Sequence, residues 1–206
     1  MKTRIIPASR WQDSIELLRQ GSLVVMPTDT VYGLAAMPLD AAAIESIYEA
    51  KNRPEEKALP MLVASIAEAE QIADMPSGVR LLCELFWPGP LTVVAPAAPS
   101  FASSAVANDG TVALRMPALN LALEIISSAG GVLAVTSANL SGAPPATSAP
   151  DALSQLNGRI AAIVDGGPSP GGVASTVVRI VDGRLVVIRE GAIARAALVR
   201  VLDERA

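Results

Sequence analysis

Histidine is absent from all 206 residues. Ser-His-Asp and Cys-His catalysis are thereby excluded, as are zinc sites of the usual Cys/His kind. Cysteine occurs once, as Cys83 in Leu-Leu-Cys-Glu-Leu-Phe. It forms no internal disulfide and fits core packing in a reducing compartment. Aromatic residues make up only 3% and charged residues 17%, against 51% apolar, and alanine alone fills 36 positions. Disorder needs the opposite balance, and collagen-like or disulfide-scaffold compositions are equally excluded. A core must therefore be built from small aliphatics, and the length suits one domain over 1–206. No apolar run approaches the ~18 residues of a membrane span. No continuous apolar stretch follows the basic N-terminus, so it does not read as a secretion signal. The expected location is cytoplasmic, with no membrane partner.

The net charge of −4 argues against a broad nucleic-acid-binding face, so any such contact would be local. Lysine is scarce. Of Lys2, Lys51 and Lys57, two fall within Lys51-Asn-Arg-Pro-Glu-Glu-Lys57, which hints that ammonium groups serve a purpose there.

What is present alternates between short apolar strands and amphipathic helices. Ser22 to Met26 reads as a buried strand. Asp40 caps a helix to about Ala50 with Ala43, Ile44, Ile47 and Tyr48 on its apolar face. Leu59 to Ala64 is a strand, Ser65 with Glu68 a capping-box start, and Ser77 to Trp87 a helix halted by Pro88. Strands are expected at Leu91–Ala95 and Thr111–Leu114, and a helix from Pro117 to about Ser128 ends at Gly130-Gly131. Val132–Val135 is a strand, Asp151 caps a short helix, and Ile160–Val164 is a strand. Asp182-Gly183 joins Ser175–Val181 to Leu185–Ile188 as a hairpin. A last helix covers about Ile193–Leu202. The fold class is α/β, with a mixed sheet and flanking helices.

Four polar segments leave strand or helix ends, where ligands gather in open α/β sheets. Pro27-Thr-Asp-Thr-Val-Tyr-Gly33 is a turn or a site. Lys51 to Lys57 either complements a helix C-terminus or clamps phosphate, Arg as a fork and Lys as a point charge. No Walker loop is present. Ser137-Ala-Asn-Leu-Ser-Gly142 either satisfies its own turn or reads a ligand. Ser175-Thr176 with Arg189-Glu-Gly191, and Arg115, are solvent-facing strand ends or part of the same site. Asp165 to Gly172 reads as a flexible surface connection, with an anion cradle as the alternative. A site of several cations and hydroxyls, with no histidine and no evident nucleophile, suits phosphoryl or nucleotidyl transfer by positioning and charge stabilisation.

In order along the chain stand Pro27-Thr-Asp-Thr-Val-Tyr-Gly-Leu34, Lys51-Asn-Arg53 with Lys57, Pro88-Gly-Pro-Leu-Thr92, Val112-Ala-Leu-Arg-Met-Pro117, Ser137-Ala-Asn-Leu-Ser-Gly142, Ser175-Thr-Val-Val178 and Ile188-Arg-Glu-Gly191. Together they resemble the YrdC-like family and its TsaC-type threonylcarbamoyl-AMP synthases over about residues 20 to 191. The resemblance implies a twisted open α/β sheet around a deep, positively lined cavity. It implies conversion of L-threonine, bicarbonate (or CO2) and ATP to threonylcarbamoyl-AMP and pyrophosphate, with Mg2+ held mainly by the phosphates. Partner proteins would pass the product to tRNA, beside the anticodon, with at most weak direct tRNA contact by this chain.

Residue by residue, the resemblance implies catalytic roles for Lys51, Arg53 and Lys57. It implies threonine contacts from Thr30, Leu62, Arg115, Val135 and Ser175, and ATP contacts from Arg53, Lys57, Thr111, Ser137, Asn139, Pro145 and Arg189. No residue is implied as a metal ligand. Leu62 stands where some members have histidine, so threonine is met differently there. The chain resembles the short form without the extra C-terminal domain. Two other readings stay open: a YciO-like, non-catalytic RNA-binding or ribosome-associated member of the same fold, and a carbamoyl-transferring domain like those of hydrogenase maturation proteins.

Overall fold

The computed structural model describes residues 2–53 and 58–203. Its strands are β1 (Arg4–Pro7), β2 (Val24–Met26), β3 (Gly33–Ala36), β4 (Met61–Val63), β5 (Leu91–Pro96), β6 (Thr111–Arg115), β7 (Val132–Ser137), β8 (Ala162–Asp165), β9 (Thr176–Val181) and β10 (Arg184–Arg189). The helices are α1 (Asp13–Arg19), α2 (Ala41–Lys51), α3 (Ile66–Ile72), α4 (Ser77–Phe86), α5 (Asn120–Ser128), α6 (Ala149–Leu156) and α7 (Arg195–Asp203). The strands form one ten-stranded sheet in the order β1-β8-β2-β3-β7-β4-β6-β5-β9-β10. Parallel pairs (β1 with β8, β4 with β6, β5 with β9) mix with antiparallel ones, as the hairpin near the end of the sequence requires.

The two faces of this sheet are covered unequally. One face carries α2, α3, α4, α6 and α7 over a core that includes Ile47, Met61, Leu82, Leu114 and Leu198. On the other, α1 and α5 pack Ile15, Leu18, Ile125 and Ile126 against β2, β4 and β7. Among the described residues no helix makes substantial contact with β5, β9 and β10 on that second face. The strand sequences already encode the difference. Val24-Val-Met26 and Ala162-Ile-Val164 are buried at every position, as strands covered on both sides must be. In β9 the inward Thr176 and Val178 are fully buried, while the intervening Val177 and Arg179 are not.

Local signals explain most boundaries. Asp40 is extended and accepts from the Ala43 amide at 3.0 Å, capping α2. Asn52, with a left-handed φ of 50°, ends that helix. Ser65 accepts from the Glu68 amide at 3.3 Å at the start of α3. Asp182 and Gly183 both have positive φ, as a two-residue hairpin turn demands. Three expectations are corrected. The helix after β6 begins at Asn120, not Pro117, because Leu119 is extended and packs against the second core. The cap of α6 is Ser148, which accepts from the Asp151 amide, while the Asp151 carboxylate accepts from Thr147. The 165–172 loop is not a free surface connection, since Gly171 and Gly172 donate to the carbonyls of Asp29 and Thr30 at 2.9 and 2.8 Å.

Two substitutions test this packing by urea denaturation. Asp40→Ala is expected to cost about 1 kcal/mol through the lost cap, and Leu114→Ala, fully buried, about 2–5 kcal/mol. Unchanged midpoints for both would contradict it.

Candidate functional site

A cavity of about 520 Å³ sits on the second face where the cover of α1 and α5 gives way to bare sheet. That size lies within the range of small-molecule sites. Sheet register places its floor. Leu62 on β4 and Arg115 on β6 lie abreast in it, with Leu133 on β7 continuing the row into the buried core. Thr92, Val177 and Arg189 form the matching row on β5, β9 and β10. An apolar row thus turns cationic at Arg115.

Arg115 is buried, and its donors are directed. Nε donates to the Gly89 carbonyl at 3.0 Å, Nη1 to Thr30 Oγ1 at 2.7 Å and Nη2 to Asp29 Oδ1 at 2.5 Å. A guanidinium has five N–H groups, so one remains on each terminal nitrogen, a fork suited to a carboxylate or phosphate. Burial pulls its pKa below the ordinary value, with Asp29 opposing and Arg189 adding to the shift. Thr28 holds the neighbouring turn: its hydroxyl lies 3.1 Å from that of Thr30 and accepts from the amides of Thr30 and Val31. The glycine-rich loop straps this turn from outside. The Tyr32 hydroxyl donates to the Gly167 carbonyl at 2.6 Å and accepts from the Gly166 amide at 3.2 Å. A Cβ on Gly171 would stand 2.6 Å from the Asp29 carbonyl oxygen, so only glycine allows that approach.

Ser175 and Arg189 form a second cluster. Arg189 donates to the Ser175 carbonyl at 2.8 Å and to its hydroxyl at 3.2 Å, and that hydroxyl lies 2.7 Å from Thr92 Oγ1. Gly191 packs so tightly on Ala174 and Ser175 that a Cβ there would meet backbone at 2.3 Å. Arg53 is half-buried, lines the opposite wall and donates to the Ala58 carbonyl at 3.2 Å. Burial lowers the pKa of Arg53 and Arg189 from their ordinary values.

The structure brings Thr30, Leu62, Arg115, Val135, Ser175, Arg53, Ser137, Asn139, Pro145 and Arg189 to the one cavity. Lys57 lies outside the described residues. Thr111 shares the strand face of Ala113 and Arg115, but it is not part of the cavity wall and donates its hydroxyl to Asp109 at 2.6 Å. Lys51 is a clearer correction to the expected phosphate clamp. It is 1% exposed and does not line the cavity, because Nζ donates to the Ser137 carbonyl, to the Asn139 carbonyl at 2.6 Å and to Asn139 Oδ1 at 3.3 Å. Asn139 reaches the wall, yet its amide nitrogen donates to the carbonyls of Leu140 and Ala143. Its side chain braces the turn. Thr28 and Thr92 also line the cavity and Asp29 pairs with Arg115, and all three stand inside motifs visible in the sequence. Cys83 is fully buried, and burial pushes its thiol up to about 12, which keeps it inert.

Among the described residues the cavity wall holds three arginines and no carboxylate. It therefore selects anions. No cluster of three acidic, cysteine or histidine side chains able to hold a metal occurs among the described residues. No helix of the described residues is long and apolar enough to cross a membrane.

Known proteins resemble this chain over most of its length. The Sua5/YciO/YrdC family model, described as telomere recombination, matches residues 16–191. The threonylcarbamoyl-AMP synthase of Bacillus subtilis (strain 168) is 43% identical over 188 residues, 90% of this chain and 54% of its own. That of Pyrococcus abyssi is 39% identical over 188 residues, 91% of this chain and 55% of its own. The chain thus spans about half the length of these two relatives. The crystal structure of P. abyssi Sua5 complexed with L-threonine has a TM-score of 0.92 and 36% identity, covering 97% of this chain and 61% of that one.

The Arg115–Asp29 pair, with side chains 7% and 10% exposed, gives a direct test. Asp29→Ala leaves a buried guanidinium without its counter-ion and is expected to cost about 3–5 kcal/mol in urea denaturation. A loss below about 1 kcal/mol, the range of exposed pairs, would show that the pair is not closed off from water.

Proposed function

This chain belongs to the Sua5/YciO/YrdC family, and we propose that its cavity makes threonylcarbamoyl-AMP from L-threonine, bicarbonate or CO2, and ATP, releasing pyrophosphate. It would act as a nucleotidyltransferase within one domain. The observation that carries this reading is the Arg115 fork, held beside the Thr30 hydroxyl on a wall that bears Arg53 and Arg189 and no carboxylate among the described residues. Relatives named for this synthesis, and a solved relative complexed with L-threonine, support it.

The chemistry follows from the groups present. The threonine amine adds CO2 and becomes a carbamate, whose oxygen attacks the α-phosphorus as pyrophosphate leaves. No protein nucleophile is needed, in keeping with a chain without histidine. Arg115 receives the threonine carboxylate on its two remaining N–H groups. Leu62 and Val135, abutting that end of the cavity, contact the side-chain methyl. A pocket reads one methyl with about 1–3 kcal/mol, so discrimination against serine is expected at about 10–200-fold. Arg53, Ser137 and Arg189 face the nucleotide, where guanidinium charge stabilises the phosphoryl oxygens as the leaving group departs. Lys57 is assigned to the same phosphates. Mg2+ arrives as the ATP chelate, neutralising phosphate charge. The mixed anhydride product would pass to proteins that transfer the group to tRNA, and the net charge of −4 fits at most weak tRNA contact by this chain. A single cysteine, buried and reduced, is compatible with a cytoplasmic site of action.

Purified protein incubated with threonine, bicarbonate, Mg-ATP and pyrophosphatase is expected to release phosphate only when threonine is present; absence of threonine-dependent release contradicts the reading. Arg53→Ala and Arg115→Ala each remove a charged contact of about 1.5–3 kcal/mol, so kcat/KM should fall about 10–150-fold. Near-wild-type kinetics for both would detach these residues from the reaction.

A further inference from the structure

We propose that Lys51 is a positioning residue: its ammonium, sealed beneath the cavity wall, ties the Ser137–Asn139 turn into place, and the negative charge that no described residue gives it is supplied by the phosphates of the bound ligand. The ligand class rests on the function proposed above; the geometry of Lys51 does not.

An ammonium has three donors and no acceptor. All three of its acceptors here, the Ser137 carbonyl, the Asn139 carbonyl and Asn139 Oδ1, belong to the end of β7 and the turn that follows it. The Lys51 backbone joins in, since its carbonyl accepts from the Ser141 amide at 2.8 Å. One residue at the end of α2 thus fastens the turn at three successive odd positions, and Asn139 extends the brace to Leu140 and Ala143. Ser137 lies on the cavity side of the turn.

The charge on this ammonium is not neutralised within the described residues. No described carboxylate forms an ion pair with it. The charged group that acts on it is Arg53, which repels it, and Tyr48 acts in turn on Arg53. Arg159, from the turn before β8, sits at the same helix end against the Ala50 carbonyl and Asn52. Burial first, and Arg53 second, bring the Lys51 pKa down to about 8. An uncompensated buried cation is costly, and an anion placed on Arg53 and Ser137 would relieve that cost. The sign follows from linkage. A ligand that favours the protonated form raises the pKa, takes up a proton near and above pH 8, and loses affinity as pH rises through that range.

The chain has three lysines, so protein labelled with 13Cε-lysine gives three resonances. The Lys51 signal is the one missing from Lys51→Met. If that variant does not fold, elimination with Lys2→Met and Lys57→Met assigns it. In wild type it is expected to titrate near pH 8, and metal-free ATP should raise its midpoint by about one unit or more. Calorimetric ATP affinity should then fall about sixfold or more between pH 7.5 and 9.5, and in folded Lys51→Met it should be weaker and flat with pH. ATP that binds without moving the Lys51 titration overturns the proposal and leaves the synthase reading standing. ATP binding with this linkage but no threonine-dependent turnover does the reverse. Failure of ATP to bind removes both.

Discussion

A guanidinium buried in a protein must have its donors satisfied and its charge balanced, and Arg115 meets both demands through the chain's own turns. Gly89, Thr30 and Asp29 hold three of its N–H groups in fixed directions. Those partners constrain their neighbours in turn. Thr28 shapes the turn that carries Thr30, Tyr32 pins the strap outside it, and Gly171 allows the strap to approach. The fork left on Arg115 is therefore oriented before any ligand arrives. That preorganisation is the kind on which the reaction proposed for this site would depend.

The architecture decides where such a fork can stand. A sheet covered on both faces has no room for a ligand, and a sheet bare on one face offers no walls. The cavity lies where α1 and α5 end and the open face of β5, β9 and β10 begins, and the row Leu133–Leu62–Arg115 crosses that boundary. Apolar walls on one side and arginines on the other give an amphipathic ligand two distinct ends. The threonine side chain and the polyphosphate in the function proposed here have that character.

Much of this was legible in the letters. The Asp40 cap, the Ser65–Glu68 start and the Asp182-Gly183 hairpin are local devices, and each stands where periodicity and turn chemistry place it. β1, α1 and β3 carry no clear signal in the sequence. The first two are short and carry mixed composition, and β3 is Gly-Leu-Ala-Ala, whose small residues give no alternation although all four are buried. Pro117 suggested a helix start, but Leu119 stays extended because its side chain packs against the second core. For the site, the motifs named the right loops, while their separate roles depended on tertiary contacts. Lys51 reads as a phosphate clamp until the turn it holds is seen above it, and the part Asn139 plays in bracing that turn shows only when its amide is found donating to Leu140 and Ala143. Asp29 has no sequence signal beyond its place in a motif; only the fold brings Arg115 to it across 86 positions.

The central claim is that groups scattered along the chain hold one adenylate-forming complex, with the Arg115 fork at its amino-acid end. A crystal structure of the protein soaked with L-threonine and a non-hydrolysable ATP analogue tests it most directly. The account predicts the threonine carboxylate on the two remaining Arg115 N–H groups, and phosphate oxygens within hydrogen-bond distance of Arg53 and Ser137. Ligand density at the groove between Trp11 and Glu124, or a threonine carboxylate lying away from Arg115, would contradict it.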